Sequence, residues 1–185
     1  MLMGAAAFGS RTQPRAAMAG ALGGLAPDVP SFALVAWAAL VQRRGAEQIF
    51  DTLYFSPAWQ AVMSPSHSVA LWTAGLAAAV LLRRPLVVAF AASGLLHQVF
   101  DFAFHAEDAH RHLWPFSDWR FISPLSYWDP AHHAGVVAPL ETLAALGLAA
   151  WLATIHRTPW ARAALALLAL TYIAQIAAFL LIFRG

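Results

Sequence analysis

Apolar residues gather into five long stretches along this chain, with polar residues between them. They run from Ala16 to Val41, from Ser68 to Leu82, from Pro85 to about Phe104, from Ala134 to Ile155 and from Ala163 to Phe183. The last two match the roughly 20 residues an α-helix needs to cross a bilayer core. The second is short, and is expected to borrow residues from Ala58 to Met63 or to tilt little. The first is interrupted by Pro27-Asp28-Val29-Pro30. Each proline removes a backbone donor and crowds the preceding turn, so this stretch is read as two short helices meeting at a bend that holds Asp28. The pattern predicts an all-α polytopic membrane protein with about 4–5 transmembrane or re-entrant helices, residues 1–185 forming a single membrane-embedded helical domain.

Composition supports the same class. Of 185 residues, 61% are hydrophobic and only 11% charged, with a mean hydropathy of +0.62; a soluble domain carries about 25% charged residues. With no cysteine, disulfides, thiolate metal sites and cysteine nucleophiles are excluded. The net charge of +2 is too small and too scattered for nucleic-acid binding. No internal repeat or low-complexity segment is present, and the N-terminus does not read as a cleavable signal peptide. All eleven cationic residues are arginine. Placing Arg11, Arg15, Arg43, Arg44, Arg83, Arg84, Arg157 and Arg162 on the cytoplasmic side leaves Arg111, Arg120 and Arg184 outside, as the positive-inside rule favours. That assignment puts the ends bearing Asp28, His67 and the polar stretch His105–His133 on the non-cytoplasmic face.

Six of the eight histidines fall between His97 and His133. In the third stretch, His97, Asp101 and His105 follow one another at helical spacing and share a stripe, between Val99, Phe100, Phe102 and Phe104. An imidazole and a carboxylate one turn apart can chelate a divalent ion, nitrogen and oxygen both being zinc donors. A proton relay, or a histidine–aspartate pair that only satisfies two buried polar groups, are the competing readings. Ionisable groups inside a membrane are costly and mark functional sites. Asp28 is a second candidate, since irregular backbone at membrane depth is tolerated where it lines a cavity; the plainer reading is an interfacial turn aspartate. His67, in Ser64-Pro65-Ser66-His67-Ser68, reads either as a further site residue or as a helix-start histidine with Ser66 or Ser68 as cap.

The polar stretch supplies Glu107, Asp108, His110, His112, Asp118, Asp129, His132 and His133, more potential ligands and outer-shell partners than one metal needs. Its Trp114, Trp119, Tyr127 and Trp128 read as an interfacial aromatic belt. Glu141, two residues after Pro139, is a further intramembrane acid with a ligand or hydrogen-bonding role, whereas His156 beside Arg157 reads as a polar helix end.

The run Gly23-Gly24-Leu25-Ala26-Pro27-Asp28, the step Ser66-His67-Ser68, and His97-xxx-Asp101 followed by a Trp114-Pro115-Phe116-Ser117 turn resemble the YdjM-type family of bacterial inner-membrane metal-dependent hydrolases. Ser117-Asp118-Trp119-Arg120-Phe121 and Ser126-Tyr127-Trp128-Asp129-Pro130 look like one subgroup of it. The resemblance reaches to about Glu141 and implies a distant similarity to zinc-dependent phospholipase C and P1 nuclease, α-helical enzymes that hold zinc ions. By motif it implies Asp28, His67, His97 and Asp101 as metal ligands, with His105 or His110 completing the set around a divalent ion, zinc by expectation. Asp108 and His112 are the candidate catalytic groups, an acid such as Asp101 or Asp108 orienting the attacking water; Asp118, Asp129, His132 and Glu141 are further binding candidates. The expected function is a multi-pass hydrolase of the bacterial inner membrane, its partners the lipid bilayer and a phosphoester or lipid-like substrate. A non-catalytic membrane subunit or assembly factor binding metal, pigment or a partner is the alternative, and a small ion or proton transporter the third.

The family's start carries a Thr-Pro-Ala-His-Leu type of motif, while this sequence opens Met1-Leu2-Met3-Gly4. Met1–Phe8 is apolar and has no capping residue before it, so the natural chain is expected to start some codons upstream, with a further histidine ligand.

Overall fold

A computed structural model describes residues 1–8 and 13–182; Arg11, Arg184 and the end of the fifth stretch at Phe183 lie outside them. The chain is an all-α polytopic membrane protein. Its helices are α1 (Leu2–Phe8), α2 (Pro14–Leu25), α3 (Val29–Ala36), α4 (Pro57–Met63), α5 (Val69–Leu81), α6 (Pro85–Phe104), α7 (Ala134–Ile155) and α8 (Pro159–Ile182). Among the described residues, four helical paths are long and apolar enough to span a bilayer: Pro14–Val41, Pro85–Phe104, Ala134–Ile155 and Pro159–Ala177. Their outward faces carry exposed Phe32, Val99, Leu143 and Leu167, as lipid contact requires.

The expected break at Pro27–Pro30 is not there. The helical path continues from α2 through a 3-10 turn (Ala26–Asp28) into α3 and a π turn (Trp37–Val41). Pro27 and Pro30 each fall in the first turn of their segment, where a missing N–H costs no helical bond. A path of 28 residues is about 42 Å long, so Arg15 and Arg43-Arg44 stand at its opposite ends. The pattern in which eight arginines share one side is therefore not the one this fold builds. Arg15, Arg83, Arg84, Arg157 and Arg162 lie towards one end of the bundle, and Arg43, Arg44, Arg111 and Arg120 towards the other.

The second stretch also differs. Ala58–Met63 belongs to the separate α4, capped by Ser56 and divided from α5 by a turn at residues 64–67. With 13 residues, α5 rises about 20 Å, short of the roughly 30 Å hydrocarbon core. Ser68 caps it, its Oγ accepting the Leu71 N–H at 3.2 Å. The fifth stretch starts earlier than its apolar run, at Pro159, while the third and fourth keep their expected bounds.

What positions the site is the closeness of α2 and α6. Buried Ala17, Gly20, Gly23 and Gly24 form a small-residue face on α2. A Cβ on Gly23 would collide with the Phe90 carbonyl of α6. Between membrane helices such contacts stand in for the hydrophobic drive that lipid removes. Contacts ascend in the same sense along both helices: Gly23 against Phe90, then Gly24 against His97, then Asp28 near His97. The antiparallel pair α7–α8 packs beside α1 through Leu2, Ala145, Ala149 and Leu152.

Candidate metal centre

Asp28 ends the 3-10 turn in the first span. His67 closes the turn before α5, and its ring is held from behind: Nδ1 lies 3.0 Å from the Met63 carbonyl and 3.2 Å from Ser66 Oγ. Ser66 ties that turn to the first span by donating to the Pro27 carbonyl at 2.8 Å. His97 and Asp101 sit one turn apart on α6, and His97 Nδ1 lies 2.9 Å from the Gly24 carbonyl. A carbonyl can only accept, so both Nδ1 atoms carry a proton, and in the neutral rings both Nε2 atoms present a lone pair forward.

Those lone pairs meet carboxylates. His97 Nε2 is 3.1 Å from Asp101 Oδ2 and 3.5 Å from Asp28 Oδ1; His67 Nε2 is 3.7 Å and 3.8 Å from the same two oxygens. His67 Nε2, His97 Nε2 and Asp101 Oδ2 are buried without a hydrogen-bond partner. Acceptors packed against acceptors in a dry interior repel, and buried polar groups without partners are costly. Around a tetrahedral zinc with bonds of about 2.0–2.1 Å, donor atoms lie about 3.3 Å apart. The observed separations bracket that spacing, and backbone carbonyls behind both histidines are the outer-shell arrangement that orients metal-bound imidazoles. The donor set fits a divalent cation.

His110 joins from the loop. Its ring stacks on His67 with centroids 3.6 Å apart, and His67, Asp101 and His110 offer donor atoms within 4.8 Å of one another, as Asp28, His67 and His97 do. Burial, and then the neighbouring His67, hold the His110 imidazole well below its ordinary pKa, so it stands neutral and ready to donate a lone pair. His105 is not part of the expected helical stripe. Its backbone turns extended at the end of α6 (φ −117°, ψ 127°), yet its ring folds back, with Nδ1 3.2 Å from the Asp101 carbonyl and Nε2 3.6 Å from Asp108 Oδ2. Asp108 is thus one ring removed from Asp101, and burial raises its carboxyl pKa against the opposing pull of His105. His112 lies further out, its ring centroid 6.3 Å from His110 and 5.7 Å from Phe102, with both ring nitrogens unpartnered; burial lowers its pKa.

The remaining candidates stand apart. Asp118 projects outward and pairs with Arg111 at 2.7 Å. Asp129 bonds His132 and caps the Ala131 N–H at 2.9 Å; with Glu107 they form a second group at the surface. Glu141 lies in a cavity wall beside Tyr127 and Tyr172. His156 ends α7, far along the helix from the loop.

Two supports were missed by the sequence reading. Gln60, buried in α4, accepts from Arg120 Nη2 at 3.0 Å and donates to the Tyr54 carbonyl at 2.9 Å, while Arg120 Nη1 holds the Ala109 carbonyl at 3.1 Å. This strap fixes the residue next to His110. A lone glutamine in an apolar helix was the available signal. The Gly24 carbonyl that orients His97 left no signal at all, since any residue supplies a carbonyl.

No protein-family model, curated protein or solved structure matches this chain.

Proposed function

We propose that the chain is a membrane-embedded, metal-dependent hydrolase of the YdjM type, with zinc held by Asp28, His67, His97, Asp101 and His110. One observation carries this reading: two histidine Nε2 atoms, their Nδ1 atoms held by backbone carbonyls, converge with a carboxylate oxygen at ligand spacing, all three buried and unpartnered. A divalent ion there supplies a Lewis acid for a phosphoryl or acyl oxygen and a water acidic enough to attack near neutral pH.

The residues divide the remaining work. Asp28, the most solvent-accessible carboxylate of the group at 35%, marks the side from which substrate approaches. Asp101 uses Oδ2 toward the two histidines and turns Oδ1 toward His105, 3.8 Å away. The His105–Asp108 pair beside it, 3.6 Å apart, would carry the proton between an attacking water and the leaving alcohol. The phosphoester preference and the bacterial inner membrane rest on the resemblance alone.

The test is metal analysis of the purified full chain, followed by a panel of phosphomonoesters, phosphodiesters and carboxylic esters. Stoichiometric zinc with hydrolysis that chelator abolishes and zinc restores is the expected result. Absence of bound metal under zinc-replete conditions overturns the centre. Tight zinc with no hydrolysis of any ester class favours the non-catalytic subunit instead.

A further inference from the structure

A cavity of about 600 Å³ opens among α1, α6, α7 and α8. That volume lies in the usual range for small-molecule sites. Its walls are overwhelmingly apolar, with Phe100, Phe104, Val137, Ala144 and Leu148 among them. Two of its wall residues, Val136 and Leu140, are also 61% and 60% exposed on a helix that spans the bilayer. The cavity is therefore reached sideways from the hydrocarbon phase, without passage through water.

The metal-site cluster lies beyond the Tyr127 wall of the cavity. Tyr127 lines the cavity, packs on Phe104 with centroids 5.1 Å apart, and meets the His105 ring edge-on at 5.7 Å. His105 in turn touches Asp101. An apolar chamber thus ends, one aromatic ring away, at a cluster of histidines and carboxylates. Glu141 and Tyr172 stand together in the same wall and give an otherwise greasy surface one place to hold a hydroxyl or ester oxygen.

We infer that this cavity seats one acyl chain of a membrane phospholipid whose phosphoester lies at the His67–His97–Asp101 centre. The inference rests on the hydrolytic reading of that centre and adds its substrate class. A water-soluble phosphoester has no use for a chamber opening into lipid, whereas a bilayer lipid enters it with its chain and keeps its headgroup at the polar end.

The experiment uses the full chain in phosphatidylcholine bilayers, with phosphatidylglycerol bearing a diazirine in its acyl chain as probe. A diacylglycerol with the same diazirine serves as the comparison. Photolysis followed by peptide mapping should place the phospholipid label on Val137, Ala144 and Leu148, with much less from the diacylglycerol. Ala144→Trp, which fills the cavity from an already exposed position, should lose most of that label and keep its zinc. Leu143→Trp, on the outward face at 66% exposure, should keep both. Label spread equally over Leu143 and Ala144 indicates boundary lipid and overturns the inference, as does unchanged labelling of the Ala144→Trp protein. Equal labelling by the two probes overturns the phosphoester assignment. Cavity labelling in a protein that binds no zinc supports the chain site while removing the hydrolase reading, so the two fail separately.

Discussion

His97 Nε2 and Asp101 Oδ2 stand 3.1 Å apart on successive turns of α6, and neither atom has a hydrogen-bond partner. Because Nδ1 of the same ring is committed to the Gly24 carbonyl, a neutral His97 offers that oxygen a lone pair and not a proton. The proposed cation, shared between them, would resolve the conflict. His97→Ala is expected to lower zinc affinity beyond the roughly 10–100-fold typical of losing an outer-shell partner, while His156→Ala leaves it unchanged. Zinc titration of both proteins against a competing chelator decides the matter; equal affinities would remove His97 from the centre.

The two ends of α6 bear different environments, Arg84 at its start and the loop containing Asp118 beyond its end. The chain has no cysteine, so Arg84→Cys and Asp118→Cys each give a single thiol. In sealed vesicles of one orientation, a membrane-impermeant thiol reagent should label only one of them. The one labelled identifies the side on which the centre's loop lies, a choice the arginines no longer make once Arg43-Arg44 and Arg15 are separated by the first span. Labelling of both positions in intact vesicles would refute α6 as a transmembrane helix.

Much of this arrangement was legible beforehand, and the reasons for the rest are physical. The start of α6 follows from Pro85 in its first turn, and the extents of α6 and α7 from predominantly apolar runs. His97 and Asp101 share a face because helical geometry leaves them no alternative. The continuity of the first span was hidden, because a proline pair is read as a break unless each proline happens to occupy a first turn. That in turn misassigned the arginines. His110 could be named among the loop's potential ligands but not placed, since its approach to His67 depends on a loop course set by the Gln60–Arg120 strap, a contact between residues far apart in sequence. Asp118, Asp129 and His132 stand apart from the centre for the same reason: loop proximity in sequence does not fix where a side chain points.

Burial penalises the phenolate form, with nearby carboxylates adding to it, so Tyr54 and Tyr127 both have pKa values raised above the ordinary phenol value, which is about 10. The unfolded chain releases those protons near pH 10, about where free tyrosine does, whereas the folded chain retains them. Above that point the folded state binds more protons than the unfolded one, so stability is full below about pH 10 and falls as pH rises further. A spectrophotometric titration in detergent should show little tyrosinate absorbance at the ordinary midpoint, then an abrupt rise that coincides with loss of helical circular dichroism. Tyr54→Phe should reduce the height of that step. Smooth ionisation at the usual tyrosine midpoint with helicity intact would mean that these phenols face water.

Two glycines make opposite predictions for the same substitution. Gly75, within α5, has nothing within 4 Å of where a Cβ would stand, whereas a Cβ on Gly23 meets the Phe90 backbone. At Gly75 an added methyl only restricts the unfolded chain and improves helix propensity, so Gly75→Ala should be neutral or stabilising by up to about 1 kcal/mol. At Gly23 the methyl collides with backbone, which cannot rotate aside as a side chain does, so α2 and α6 must separate; overpacking of this kind costs about 1–3 kcal/mol. The consequence reaches the centre, because that same contact carries the Gly24 carbonyl to His97 and Asp28 to within 3.5 Å of it. Gly23→Ala should therefore lower both the thermal midpoint and the zinc affinity, although residue 23 is no ligand. Gly75→Ala should lower neither. A Gly23→Ala protein that melts early but binds zinc with unchanged affinity would show that the ligands are held together by something other than the α2–α6 contact.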